Sequence, residues 1–518
     1  MNAPTADEFA AYVEAFPGQL SCWGDGILGL YPVLGWLNTH PVVVQRELVA
    51  AHGVRLGVWM TTRAHHNQVG TAVAWATRFM VGPAVDTPTK VEDLPGLFDL
   101  AGRAYVLRNL LAEVRQGVRR FEANANQIIL TFDGDPRLDA LDRLLDLVED
   151  IIDPEEPRPW DPRLRPWLAA GGLNTPWEQA PPWVRGEFRA SAASLVDKYP
   201  TYLPADLDVG GFTMAEATQV LVQLLARGLY MNACTIQGST NIAAVVPILD
   251  SDAFVADLIE ASAVTEDRLR QVLGVLTLNL DRCPDPCLTP LIPIGEGLIV
   301  PLSSLIVPSS PVRNFTALLQ ADPARFGRAG RALGALGART TAATFDRLAG
   351  ALVTTSIKVV RADRTRAGDL DVVVCDPASR TMAVFEVMWR IGPDGSAEVA
   401  RTEEDAHAKR VQVNRIRGDI ESGQAAPRWP SNWPDVSGFR TRWFVLTPNV
   451  LPVRAVEPDG IVVRSHQMLA RTLRVGASLA DLVKLMDEPP HPPTELTQTQ
   501  WERVAYGDFV VDFDVTRA

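Results

Sequence analysis

The stretches Gly368-Asp369-Leu370-Asp371-Val372-Val373-Val374 and Met382-Ala383-Val384-Phe385-Glu386-Val387-Met388, joined through Asp376-Pro377-Ala378-Ser379, decide the fold of this chain. Runs of β-branched and aromatic residues around a short turn-forming segment read as two adjacent strands of an antiparallel hairpin. Each strand places one carboxylate, Asp371 and Glu386, among apolar neighbours, which costs free energy unless a cation or hydrogen bonds answer it. Residues paired across such a hairpin lie about 5 Å apart, so the two acids can share one divalent ion. Hard oxygen donors suit Mg2+ or Mn2+ rather than zinc. Asp369 reads as a turn residue and Asp371 also fits a strand-entry cap, whereas Glu386 in mid-strand is harder to assign to structure alone.

Outward from the hairpin, the spacing predicts a helix over 328–352, strands over 355–360, 369–375 and 382–389, a charged helix over 402–420, and strands over 442–446 and 460–463. The order is α-β-β-β-α-β-β, a mixed α/β domain. Residues 326–443 hold 18 Lys and Arg against 14 Asp and Glu, a net of +4, while the remainder of the chain holds 31 against 48. A basic segment inside a chain of net charge -13 is where contact with nucleic acid would have to lie.

Gly-x-x-Asp on one strand, an acid two residues before the lysine position on the next, and this element order resemble the PD-(D/E)xK, or restriction-endonuclease-like, nuclease superfamily. The resemblance covers roughly residues 326–469 and implies metal-dependent phosphodiester hydrolysis of DNA, less readily RNA, with Mg2+ or Mn2+ held by Asp371 and Glu386. Asp346 stands where many members carry a supporting acid. The chain departs from the pattern at Met388, where the lysine belongs, because a thioether holds no positive charge beside an attacking water. Two cations are candidates to replace it. Arg390 lies on the same strand face, displaced about 7 Å from position 388. Lys409 is the stronger candidate, since Lys409, Val413, Ile416 and Ile420 form the stripe of the charged helix that faces the sheet. Lys409 also fits a snorkelling lysine paired with Glu404 or Asp405. Gln412, one turn on, stands where some members use a glutamine. Arg364, Arg366, Arg410 and Arg417, together with Arg361 and Arg415, are candidate phosphate contacts or a solvated basic face. His407 is a candidate for proton transfer. The reading of another class is a nuclease fold without catalysis, serving as a nucleic-acid-binding or scaffold module.

The 518 residues are too many for one core and predict several domains: a mostly helical segment 1–152, a Pro/Trp-rich connector 153–183, a helical segment 184–325 ending in a short β-hairpin, the α/β domain 326–470, and a C-terminal extension 471–518. At 47% apolar and 21% charged, the chain is neither disordered nor a disulfide-stapled miniprotein. The acidic helical part predicts a protein partner or substrate feature. The absence of a long apolar run predicts no membrane span, and the acidic start with no basic leader predicts a cytoplasmic protein. Five cysteines, odd in number and mostly isolated, agree, and the Cys-x3-Cys pair Cys283 and Cys287 reads as buried thiols rather than half a zinc site. Asp133 and Asp135 read as a turn before a helix over 138–152, and the neighbours His65 and His66 point too far apart to chelate. No P-loop, dinucleotide fingerprint or nucleophile elbow is present.

Overall fold

The computed structural model describes residues 3–20, 23, 26–52, 54–80, 91–115, 117, 119–133, 161–198, 203–283, 285–388, 391, 396–448, 460–475, 478–487 and 498–517. In chain order the strands are β1 (Arg119–Asn124), β2 (Gln127–Phe132), β3 (Leu249–Asp250), β4 (Leu291–Gly295), β5 (Leu298–Pro301), β6 (Leu352–Arg361), β7 (Arg366–Asp376), β8 (Thr381–Val387), β9 (Ala425–Pro427), β10 (Arg440–Thr447), β11 (Val462–Ser465), β12 (Gln498–Tyr506) and β13 (Phe509–Arg517). They make an α/β fold with large helical regions, divided into two compact units. One unit holds Met1–Ala6, Arg108–Pro154 and Gly330–Ala518; the other holds Asp7–Leu107 and Glu155–Ala329.

In the first unit a six-stranded sheet runs β11-β10-β8-β7-β6-β9. The order anticipated from the sequence is present: the helix Pro323–Thr344, three antiparallel strands β6 to β8, the helix Ser396–Glu421, then β10 and β11 parallel to β8. The first helix stops at Thr344, short of the expected 352, because Leu352 already belongs to β6. Both sheet faces are covered. Val372, Val374, Phe385, Val387, Phe444 and Leu446 pack on one side against Phe345, Leu469, Leu482 and Met486. Val373, Val384, Met388 and Val445 pack on the other against Ala406, Val413 and Ile416 of the helix Ser396–Glu421.

The helix Leu479–Asp487 therefore supplies core to this sheet, and residues 471 onward are part of the domain rather than an extension of it. A second sheet, β1-β2-β13-β12, pairs β2 with β13 in parallel across nearly the whole sequence. This pairing groups residues 108–154 with the C-terminal half, where the sequence placed them in an N-terminal helical segment; a strand partner nearly 400 residues away leaves no local signal. Arg119 fastens the sheet from inside. Its guanidinium meets Asp514 Oδ1 at 2.6 Å, Glu113 Oε2 at 2.9 Å and the Leu130 carbonyl at 3.0 Å, and Asp514 Oδ1 also accepts the Phe132 N–H at 2.7 Å.

The second unit is mainly helical. Its central helix, Met214–Ile236, is fixed at the N-terminus by a Thr213/Glu216 capping box and buries Leu221, Leu224, Leu225 and Tyr230. Strands β3, β5 and β4 form a small antiparallel sheet there, which includes the expected hairpin. From Leu164 on, the Pro/Trp-rich segment is packed against protein: Trp177 is buried, edge-on to Tyr230 and under the Arg227 guanidinium. Arg227 is in turn paired with Glu178 and Asp257 at 2.6 Å each. The expected helix over 138–152 lies outside the described residues. Among the described residues no helix is long and apolar enough to cross a membrane.

Candidate active site

Strands β7 and β8 are paired from Asp376↔Thr381 to Val372↔Phe385, and the ladder ends there. Asp371 and Glu386 are the next residue on each strand, so both stand at the fork where the strands part. With its strand partner gone, the Val387 N–H donates instead to the Asp371 carboxylate, Oδ2 at 2.9 Å. Across β7, the residue facing Asp371 in the β6 register is Ser356, which sits at φ 58. The left-handed region is unfavourable for a residue with a Cβ, and such strain persists only where surrounding structure imposes it. On either side of this point β7 changes facing: Leu370 and Val373 both reach the core beneath the helix Ser396–Glu421, which strict alternation forbids. The backbone is thus reshaped at the acid.

Glu386 is 3% exposed, flanked by β7 on one side and by Val445 of β10 on the other. Its carboxylate accepts a hydrogen bond from the Lys409 ammonium, and the same Nζ lies 4.0 Å from Asp371 Oδ2. Lys409 comes from the helix, on the stripe continued by Val413 and Ile416. An amine from another element thus stands beside both acids. Met388 points the same way as Glu386 but is buried among Val384, Ala406 and Ile461, with its N–H bonded to the Leu446 carbonyl at 2.8 Å. The two acids against one amine leave the cluster one negative charge in excess.

Burial, and then the neighbouring Asp371, push the Glu386 carboxyl up from its ordinary 4.5 to about 7, against the pull of Lys409. Burial alone would lower the Lys409 ammonium; Glu386 and Asp371 outweigh it and hold the pKa above the ordinary lysine value. Both directions follow from a partly dry cluster in which like charges crowd and one cation compensates.

The remaining sequence candidates fall differently. Asp346 is exposed in a 3-10 turn beside Phe345, whose ring packs on Phe385 at 5.2 Å on the opposite face of the sheet from Lys409. Phe345 anchors this turn to the sheet, and Asp346 beside it is exposed. Arg390 lies outside the described residues. Gln412 is half-buried, three positions beyond Lys409. Arg364 and Arg366 are exposed at the β6–β7 turn, Arg366 paired with Asp369. Arg410 is only 9% exposed, beside His407, which removes it from the basic surface; position 410 turns inward where the helix is packed. Arg417 is partly buried and bonded to Asn414 at 2.8 Å. Lys409 is joined to Glu386 rather than to Glu404 or Asp405, and His407 is exposed. Cys287 is a buried thiol that donates to the His66 carbonyl at 3.5 Å.

Sequence reading missed Ser356, whose serine at a left-handed position carries no local signature, and the Val387 N–H, which side-chain patterns never report. It also missed Glu403, raised to about 7 by burial and then by Glu113. Two carboxylates on neighbouring strands, with charge to spare after Lys409, are the donor set Mg2+ or Mn2+ takes, since Mg2+ is commonly held by one or two carboxylates with water and phosphate completing its shell. Asp371 and Glu386 fit such an ion. Among the described residues no group of three or more His, Cys, Asp and Glu side chains is gathered to hold a metal. Comparison with known families, curated proteins and solved structures finds no match to this chain, so the reading of the site rests on its own geometry.

Proposed function

We propose that this chain is a metal-dependent nuclease whose C-terminal domain has a restriction-endonuclease-like core, cleaving phosphodiester bonds of nucleic acid, DNA before RNA, at Asp371, Glu386 and Lys409. The observation that carries the reading is the Lys409 ammonium: it is bonded to Glu386 and 4.0 Å from Asp371, the place left open by Met388. Asp371 and Glu386 would hold the ion. A bound Mg2+ or Mn2+ supplies the polarisation of a phosphate oxygen and lowers the pKa of water. Asp371, fixed by the Val387 N–H, keeps its orientation without a metal. Lys409 carries the positive charge that answers negative charge developing on phosphate, and Gln412 is close enough in sequence to orient water or substrate. Glu386 becomes fully ionised only above about pH 7, which favours the ion-holding state on the alkaline side.

Beyond the fork, β6 and β7 continue to a turn roughly 16 Å past Asp371. Around it stand Lys358, Arg361, Arg364, Arg366, Arg415 and Arg428 against Asp363, Asp369 and Asp419. That excess of positive charge in an acidic chain suits a phosphate backbone leading to the cluster. Incubating the full chain with labelled single- and double-stranded DNA and RNA at pH 8, with and without Mg2+ or Mn2+, tests the reading. Cation-dependent cleavage that disappears in Glu386→Ala supports it. No cleavage by the wild-type chain, with cleavage by Met388→Lys, would instead identify a retired site in a binding module.

A further inference from the structure

We propose that Gly368 is a positioning residue: by lacking a side chain it lets the helix Ser396–Glu421 settle on β7 closely enough for Lys409 to reach Glu386. Gly368 pairs with Val359 beside a register shift between Val359 and Val360, but its φ lies outside the left-handed region, so the demand for glycine is one of space. A Cβ built there would lie 2.4 Å from Ile416 Cδ1 and 3.0 Å from Ile416 Cγ1. Ile416 has no room to yield, being 1% exposed within the core that also holds Val359, Val373 and Val413. Ile416 and Lys409 are seven residues apart, two helical turns on one face, so a helix lifted at Ile416 carries Lys409 with it. Two further contacts hold the same end of the helix down: Arg415 donates to the Ala367 carbonyl at 3.3 Å, and Arg361 pairs with Asp419 at 3.1 Å. The site is thereby set by a glycine three positions before its first acid, through a helix that neither acid belongs to.

The inference deepens the nuclease reading only in its effect on rate; the spacing of helix and strand stands apart from it. The test uses the full chain as wild type, Gly368→Ala, Ile416→Val and the double variant, with Lys409 reactivity toward reductive methylation measured by mass spectrometry against the exposed Lys484 as internal standard. In the wild type the bond to Glu386 protects Lys409. Gly368→Ala raises its reactivity about tenfold relative to Lys484, as overpacking drives the two elements apart. Ile416→Val alone changes nothing, and the double variant, which removes the offending Cδ1, returns to wild-type protection. Unchanged reactivity in Gly368→Ala, or a folded double variant with Lys409 still reactive, overturns the inference. Should Gly368→Ala fail to fold by circular dichroism, recovery of both fold and protection in the double variant supports it. Cleavage measured in parallel separates the two readings, because an inactive wild type showing this protection pattern sinks the nuclease and leaves the positioning role intact.

Discussion

Two ion clusters in the same unit share a plan, one cation between two carboxylates, and differ in how they are enclosed. Around Arg119, one guanidinium meets two carboxylates and two carbonyls, and Asp514 Oδ1, which it meets at 2.6 Å, also takes the Phe132 N–H. The Arg119 and Asp514 side chains are 6% and 10% exposed, and the Asp514 contacts join segments nearly 400 residues apart. Around Lys409, one ammonium meets two carboxylates at the fork of β7 and β8, the Lys409 and Asp371 side chains stay 31% and 29% exposed, and the Glu386 carboxyl is held far from its ordinary pKa. The first cluster shields its Arg119–Asp514 pair, which is how a polar group serves a fold. The second leaves Lys409 and Asp371 partly accessible beside a crowded Glu386, the setting that the proposed ion site requires.

The contrast breaks first if removing charge has the same consequence in both places. Glu386→Ala should lower cleavage by on the order of 10³, while thermal unfolding shifts by less than about 1 kcal/mol, because active-site charges are commonly held at the expense of stability. Arg119→Ala should do the reverse, destabilising by about 3–5 kcal/mol through the unpaired carboxylate of Asp514, with catalytic constants of the folded fraction unchanged. Denaturant titration beside a cleavage assay reads both.

The pH dependence sharpens the comparison. Glu386 titrates near 7 in the folded chain against 4.5 ordinarily, so the stability linked to its protonated form is complete below pH 4.5 and is lost as the pH climbs through 7. Between pH 4.5 and 8.5 the wild type should lose roughly 3 kcal/mol more than Glu386→Gln, and a saturating divalent cation at pH 8.5 should return much of that difference. A flat wild-type profile would remove Glu386 from its crowded setting. The smallest expected effect lies at Ser356, where Ser356→Gly should relieve the left-handed backbone and stabilise by about 0.5–1 kcal/mol on the same denaturant curves.

How far the sequence spoke follows from the range of the interactions. The apolar runs in 369–375 and 382–388, and the stripe through Lys409, Val413 and Ile416, are local patterns, so the hairpin and the helix were legible before any coordinates, while the partner of Lys409 stayed open between the two acids and Glu404 or Asp405 on its own helix. Pairing of β2 with β13 depends on residues almost 400 positions apart and was not. The burial of Arg410 was not legible for a related reason: its neighbours along the helix were visible, while its 9% exposure is a property of the folded chain. Gly368 was read as part of a motif, and its meaning emerges only once Ile416 is seen above it.

The central claim is that Lys409 stands in for the lysine missing at 388, and exchanging the two positions tests it most directly. Cleavage of DNA by the full chain in Mg2+ should vanish in Lys409→Met and return, to within about tenfold of wild type, in the double variant Lys409→Met/Met388→Lys, whose amine reaches the same pair of acids from the strand. A Lys409→Met chain that cleaves as fast as wild type, or a folded double variant that stays inactive, would contradict it.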